Sequence, residues 1–138
     1  MSADANKQTM QRIFDGLARG DSTAFRESLG EDFVWNMPGT TAWSGVYRGR
    51  RAVMDELFKP LYSQWADTYL NFAENIIAEG DWVVVECRGQ VTTKAGKPYN
   101  NTYCWVCLFA DGKLAQVTEY MDTALVDAVL EPPARAAS

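Results

Sequence analysis

Glu119 is the residue whose type and placement point most directly to chemistry. It lies in the last strand-like segment, Lys113 to Met121, directly after the turn signal Asp111-Gly112. A two-residue turn there sets Ala110 opposite Lys113. Glu119 then shares a face with Val117, Met121, Cys104 and Val106. A carboxylate on so apolar a face is either at an open mouth or desolvated. Desolvation raises its pKa toward the range useful to a general acid or base. The structural alternative is a carboxylate paired near the rim. The chain has no histidine, which excludes Ser-His-Asp and Cys-His nucleophilic catalysis and argues against a zinc site. Acid–base work falls to Asp, Glu, Tyr, Lys or a held water. Cys104 and Cys107 have CxxC spacing, but Trp105-Val106 between them reads as mid-strand, whereas a redox pair sits at a helix start. No metal and no organic cofactor is expected.

The neighbouring strand reads Glu86-Cys87-Arg88-Gly89-Gln90. A Glu-Arg-Glu chain of Glu119, Arg88 and Glu86 could hold a carboxylate ionised through charge-assisted hydrogen bonds. Register decides whether they meet. A two-residue turn at Ala95-Gly96 puts Glu86 and Arg88 on the face of Tyr103 and Trp105, opposite Glu119. A three-residue turn or one bulge moves them to the face of Cys104 and Glu119. The apolar series Val83, Val85, Cys87, Val91 favours the first. The alternative role for the pair is a surface or interface ion pair.

These side chains need a sheet and something to pack it against. Met10, Ile13, Phe14 and Leu17 recur at helical spacing, which predicts a helix over 4–18. A second, short helix carries Ala24, Phe25 and Leu29, capped from Asp21 or Ser22. Phe33 and Trp35 mark a strand that Pro38-Gly39 breaks. A third helix starts near Arg50 with Val53, Leu57 and Phe58 buried, and Pro60 is expected to end or kink it. Strands follow over 68–78, 82–93, 99–110 and 113–121, then a short helix over 123–130. Helices first and a meander after predict an α+β fold with helices on one sheet face. One domain is expected over 1–131, with a disordered tail over 132–138. Tyr103, Trp105 and Tyr120 fall on the face away from Glu119 and are the expected dimer interface.

The 138 residues are 47% apolar and 22% charged, with a formal net charge of −5. That size suits one core. The acidic balance and scattered Lys and Arg argue against nucleic acid. No apolar run nears the ~18–20 residues that span a bilayer, and the polar start does not read as a signal peptide. A cytoplasmic location is expected, in keeping with three cysteines that make no disulfide framework.

Several stretches together resemble the SnoaL-like branch of the nuclear transport factor 2-like superfamily, which includes ketosteroid isomerases, polyketide cyclases and limonene epoxide hydrolase. They are Trp43-Ser44-Gly45-Val46-Tyr47-Arg48-Gly49-Arg50, Gly96-Lys97-Pro98-Tyr99-Asn100-Asn101-Thr102-Tyr103, Asp111-Gly112-Lys113-Leu114 and Glu119-Tyr120-Met121-Asp122. The resemblance covers roughly 8–130. It implies a cone, a strongly curved mixed or antiparallel sheet wrapped over N-terminal helices, with an interior pocket. It also implies a homodimer through the outer sheet face. Glu119 matches the last-strand carboxylate of the hydrolase, but the Asp and Arg beside it are exchanged here, as Arg88 and Glu86. The resemblance makes Glu119, Arg88 and Glu86 the candidate catalytic set and favours the register that brings them to one face. The steroid-isomerase pattern fails, since Val34-Trp35-Asn36-Met37-Pro38 holds no carboxylate. Trp35, Trp43, Tyr47, Phe58 and Trp65 are the expected pocket walls, with Val106 and Met121 beside Glu119. The resulting expectation is a small hydrophobic ligand and carboxylate acid–base chemistry of the isomerase, cyclase or hydrolase kind. The alternative is a binder without catalysis.

Overall fold

The helical spacing of Met10, Ile13, Phe14 and Leu17 buries one stripe of helix α1, Ala3–Leu17. The computed structural model describes residues 2–133. Ser2 caps α1, its Oγ accepting from the Ala5 N–H at 3.1 Å. Gly20, at φ +80°, turns the chain where a Cβ would collide with Thr68. Helix α2, Thr23–Ser28, runs directly into strand β1, Leu29–Met37. Strand β2, Gly45–Arg48, pairs back on β1.

A helical run follows: α3, Arg50–Ala52, a π-helical stretch, Val53–Phe58, and α4, Lys59–Tyr62. Pro60 was expected to end or kink the helix. The wide π turns precede it, and the helix ends soon after it, at Tyr62. Pro60 has no N–H to donate, and its ring would crowd the carbonyl four residues back in a regular α-helix. Strands β3, Leu70–Glu79, β4, Trp82–Gln90, β5, Thr102–Ala110, and β6, Lys113–Met121, form the meander. Helix α5, Thr123–Val129, is capped by Asp122, whose Oδ1 accepts from the N–H groups of Ala124 and Leu125. Pro132 and Pro133 have no regular structure, and the rest of the expected tail, 134–138, lies outside the described residues.

The six strands form one curved, unclosed sheet in the order β2-β1-β6-β5-β4-β3. Only β1 with β6 is parallel among the pairs. This is the expected α+β cone, with helices on the concave face. Two irregularities bend the sheet and reset its register. β3 carries an extra residue between Ala73 and Asn75. β6 carries one at Ala115, since Leu108 opposes Gln116 while Phe109 opposes Leu114. The Asp111-Gly112 turn has positive φ at both residues, 52° and 77°, as a two-residue hairpin requires. Ala110 therefore opposes Lys113, as the sequence predicts. Beyond Ala115, however, every β6 residue faces a different β5 partner from the one an unbroken ladder gives.

Candidate functional site

The extra residue at Ala115 sets Glu119 opposite Trp105, on the concave face. Tyr103, Trp105 and Cys107 are buried there with it. This corrects the expected dimer interface. Tyr103 and Trp105 point inward, and of the three residues assigned to it only Tyr120 is on the convex face, 52% exposed. The same shift moves Val106 to the convex face, opposite Thr118 and Val84.

Glu86 opposes Cys104 and Arg88 opposes Thr102, so both lie on the convex face. The expected meeting of Glu86, Arg88 and Glu119 does not occur. The β4–β5 ladder runs on in register past Gln90, with Gly89 bonded to Asn101, Val91 to Tyr99 and Thr93 to Lys97, and closes through the three-residue turn Lys94-Ala95-Gly96. That turn brings Glu86 to the Cys104 face, but Ala115 has taken Glu119 off it. Glu86 accepts from Asn75 Nδ2 at 2.9 Å. Arg88 stacks its guanidinium 4.9 Å over the ring of Phe72.

Glu119 opens on a cavity of about 310 Å³ between the sheet and the helices. Its walls are mostly apolar and aromatic. Trp35 meets Trp105 edge-on at 5.2 Å and Phe58 at 5.1 Å, and Phe25 closes against both Trp35 and Phe58. Trp65 stacks between Tyr69 and Tyr99, with centroids 5.9 and 5.7 Å away. Of the expected walls, Trp35, Phe58 and Trp65 line the cavity. Trp43, Tyr47 and Met121 do not. Trp43 is spent on packing, its Nε1 donating to the Glu131 carbonyl at 3.0 Å, and Tyr47 donates its hydroxyl to the Trp43 carbonyl at 2.8 Å. Met121 is on the concave face but past the cavity's edge.

The electrostatics centre on Glu119. Its carboxyl is buried, and burial pushes its pKa from 4.5 up to about 8. Two indoles oppose the rise, Trp105 first and Trp35 second. Trp105 Nε1 donates to Oε2 at 2.7 Å. Trp35 Nε1 is close to the carboxyl but makes no hydrogen bond of acceptable geometry, so Trp105 is the direct donor. Oε1 has no protein partner among the described residues and is not sealed from solvent. It is the atom available to a ligand.

A chain of hydroxyls lies beside it. Tyr69 donates to Tyr103 at 3.1 Å, and Asn71 Nδ2 approaches Tyr69 at 3.5 Å. Burial, with Glu119 nearby, holds Tyr69 and Tyr103 far above the usual phenol range and Tyr62 at about 12. These hydroxyls are donors at neutral pH and not bases. Gly89 makes room for this group, because a Cβ there would lie 2.7 Å from the Tyr69 hydroxyl. Among the described residues no cluster of His, Cys, Asp and Glu could hold a metal ion.

A family model described as a SnoaL-like domain matches residues 10–117. The chain belongs to the SnoaL-like family. Among solved structures this SnoaL-like chain is similar to Bal32a, from a soil-derived mobile gene cassette, at 23% identity and a TM-score of 0.79, over 91% of this chain and 96% of that one. A protein assigned as a SnoaL-like polyketide cyclase, from Jannaschia sp. CCS1, is similar at 17% identity and a TM-score of 0.74, over 94% and 95%. A protein assigned as an isomerase, from Bacillus subtilis, is similar at 19% and 0.75, over 94% and 95%. At such identities the likeness is one of fold. No curated protein sequence matches.

Sequence reasoning missed the cavity residues Tyr62, Tyr69, Asn71, Tyr103 and Trp105. Gly89 was the available signal for Tyr69, as a glycine in a strand marks close approach by another group. Nothing local announces Ala115, so nothing announced Trp105 as the partner of Glu119.

Proposed function

We propose that this SnoaL-like protein is an acid–base catalyst of the isomerase, cyclase or hydrolase kind, acting on a small, largely apolar molecule in this cavity. The observation that carries the reading is Glu119, one carboxyl at the bottom of an apolar cavity with its pKa near 8 and one oxygen free. At neutral pH it is mostly protonated and gives a proton from Oε1 to a substrate oxygen or carbon. Once ionised it is a base, steadied by the Trp105 N–H. The names of two similar folds, a cyclase and an isomerase, support that reaction class. The test is Glu119→Gln, which keeps the shape and cannot take up or release the proton. Turnover of a screened substrate should fall about 10²–10⁴-fold, and an unchanged rate sinks the assignment.

A second reading is a binder without catalysis. It is favoured by the closeness of Glu119 to Trp105, which could be a purely structural pair. A ligand bound unchanged by the unaltered protein and by Glu119→Gln alike would decide for it.

The convex face supports a homodimer, because Val46, Ile77, Trp82 and Tyr120 stay 44–60% exposed on or beside it. Among the described residues no helix is long and apolar enough to cross a membrane. The free thiols of Cys87, Cys104 and Cys107 fit a reducing compartment, and we place the protein in the cytoplasm.

A further inference from the structure

Five buried polar side-chain atoms have no hydrogen-bond partner among the described residues. Two belong to Asn6 in α1. The other three, Trp35 Nε1, Trp65 Nε1 and Asn71 Oδ1, belong to residues that line the Glu119 cavity. Buried polar groups are nearly always paired in native proteins. All of these atoms are closed off from solvent, so recognition of a ligand rests on the groups that do face the cavity.

The rim adds a charge. Arg26 and Lys59 are both exposed and both line the cavity. Each follows a wall residue, Phe25 and Phe58, whose rings meet at 5.8 Å, so the two cations flank one stretch of rim. Neither is in a salt bridge among the described residues. Arg26 Nε donates to Ser22 Oγ at 3.2 Å, and Asp21, whose pKa is lowered first by hydrogen bonds from Thr23 and only then by Arg19 and Arg26, pairs with Arg19. The adjoining recess, beyond Tyr62 and Trp65, carries Asp67 and no Lys or Arg. Charge thus distinguishes the two sides, in a chain whose net charge is −5.

We propose that the ligand is an amphipathic carboxylic acid, its carboxylate held by Arg26 and Lys59 at the rim and its ring-sized apolar body packed among Phe25, Trp35 and Phe58. The inference rests on the reading of this cavity as the ligand site. A cavity of about 310 Å³ suits a compact ring body. Glu119 does not repel the acid while it is protonated, since its carboxyl is then neutral.

The test compares 6-hydroxy-2-naphthoic acid with its methyl ester by isothermal titration calorimetry at pH 7 and low salt. The acid should bind about tenfold more tightly than the ester, as expected for charge-assisted contacts. The preference should disappear in Arg26→Gln/Lys59→Gln and weaken as salt rises. Both positions are exposed, so the variant should fold, and its unchanged affinity for the ester would show that it has. Equal or tighter binding of the ester overturns the proposal, as does an acid affinity untouched by the double variant, or no binding of either probe at millimolar concentration. Binding is read without turnover. The acid preference can therefore survive a failure of Glu119 catalysis, and Glu119 catalysis can survive loss of the preference.

Discussion

Trp105 Nε1 donates to Glu119 Oε2 at 2.7 Å across the β5–β6 ladder, with both side chains buried. An indole N–H is a donor only, so this contact favours the ionised carboxylate and restrains a pKa that burial would raise further.

Removing that donor should raise the Glu119 pKa above about 8. Trp105→Phe keeps an aromatic in contact with Trp35 and loses the N–H. A hydrogen bond to a charged group is worth about 1.5–3 kcal/mol, so the rise should be roughly one to two pH units. The carbon-13 shift of a labelled Glu119 carboxyl, titrated in both proteins, measures it. An unmoved pKa would mean that Trp105 does not tune the acid.

Stability should fall as pH rises from about 5 to about 9. The folded state holds the Glu119 proton up to about 8, whereas an exposed Glu releases it near 4.5. Between those values the folded state binds more protons, so unfolding becomes easier as pH rises. The contribution is fully present below 4.5 and lost by the time pH passes 8. Its size is on the order of a few kcal/mol. The groups facing Glu119 leave this window clear. Trp35 and Trp105 do not titrate, burial holds Tyr62 and Tyr99 near 12, and Tyr69, Tyr103 and Cys87 are pushed up as well. Thermal unfolding across pH should show the decline in the unaltered protein, and Glu119→Gln should flatten it.

The elements and the inward, buried setting of Glu119 were legible because they rest on local patterns. Met10, Ile13, Phe14 and Leu17 repeat at helical spacing, Asp111-Gly112 demands a tight turn, and a lone Glu alternates with Val117 and Met121. Partners across the sheet were not legible, because strand register depends on irregularities without a sequence mark. One extra residue, Ala115, exchanged Cys104 and Val106 for Tyr103 and Trp105 as the companions of Glu119. The β4–β5 closure was one of the two turns the sequence allowed, and its three residues put Glu86 and Arg88 on the Cys104 face. Trp43 and Tyr47 were read as walls because they are aromatic, but their polar ends are held by the Glu131 and Trp43 carbonyls.

Gly89→Ala should disturb the hydroxyl chain from outside the cavity. The new Cβ would meet the Tyr69 hydroxyl at 2.7 Å and two of its ring carbons at 3.1 Å. Tyr69 must move, and its bond to Tyr103 goes with it. The cost should be about 1–3 kcal/mol in denaturant unfolding, as for other overpacked cores. Tyr69→Phe in the same chain removes the nearest atom and should recover part of the loss. Additive effects of the two changes would show that they do not touch.

The convex face gives the last prediction. Ile77 and Trp82 are on the β3–β4 side and Tyr120 on β6, each exposed, and none reaches the cavity. Packing these residues against a second copy removes apolar surface from water at about 25 cal/mol per Å². Ile77→Asp/Tyr120→Arg puts charges of opposite sign on that face and should shift a dimer to monomer in light scattering after gel filtration. Because the concave face is untouched, the Glu119 titration should stay near 8 in the monomer. If the unaltered protein is already monomeric at tens of micromolar, roughly the range where a weak dimer of about 7 kcal/mol would persist, this face does not pair with itself.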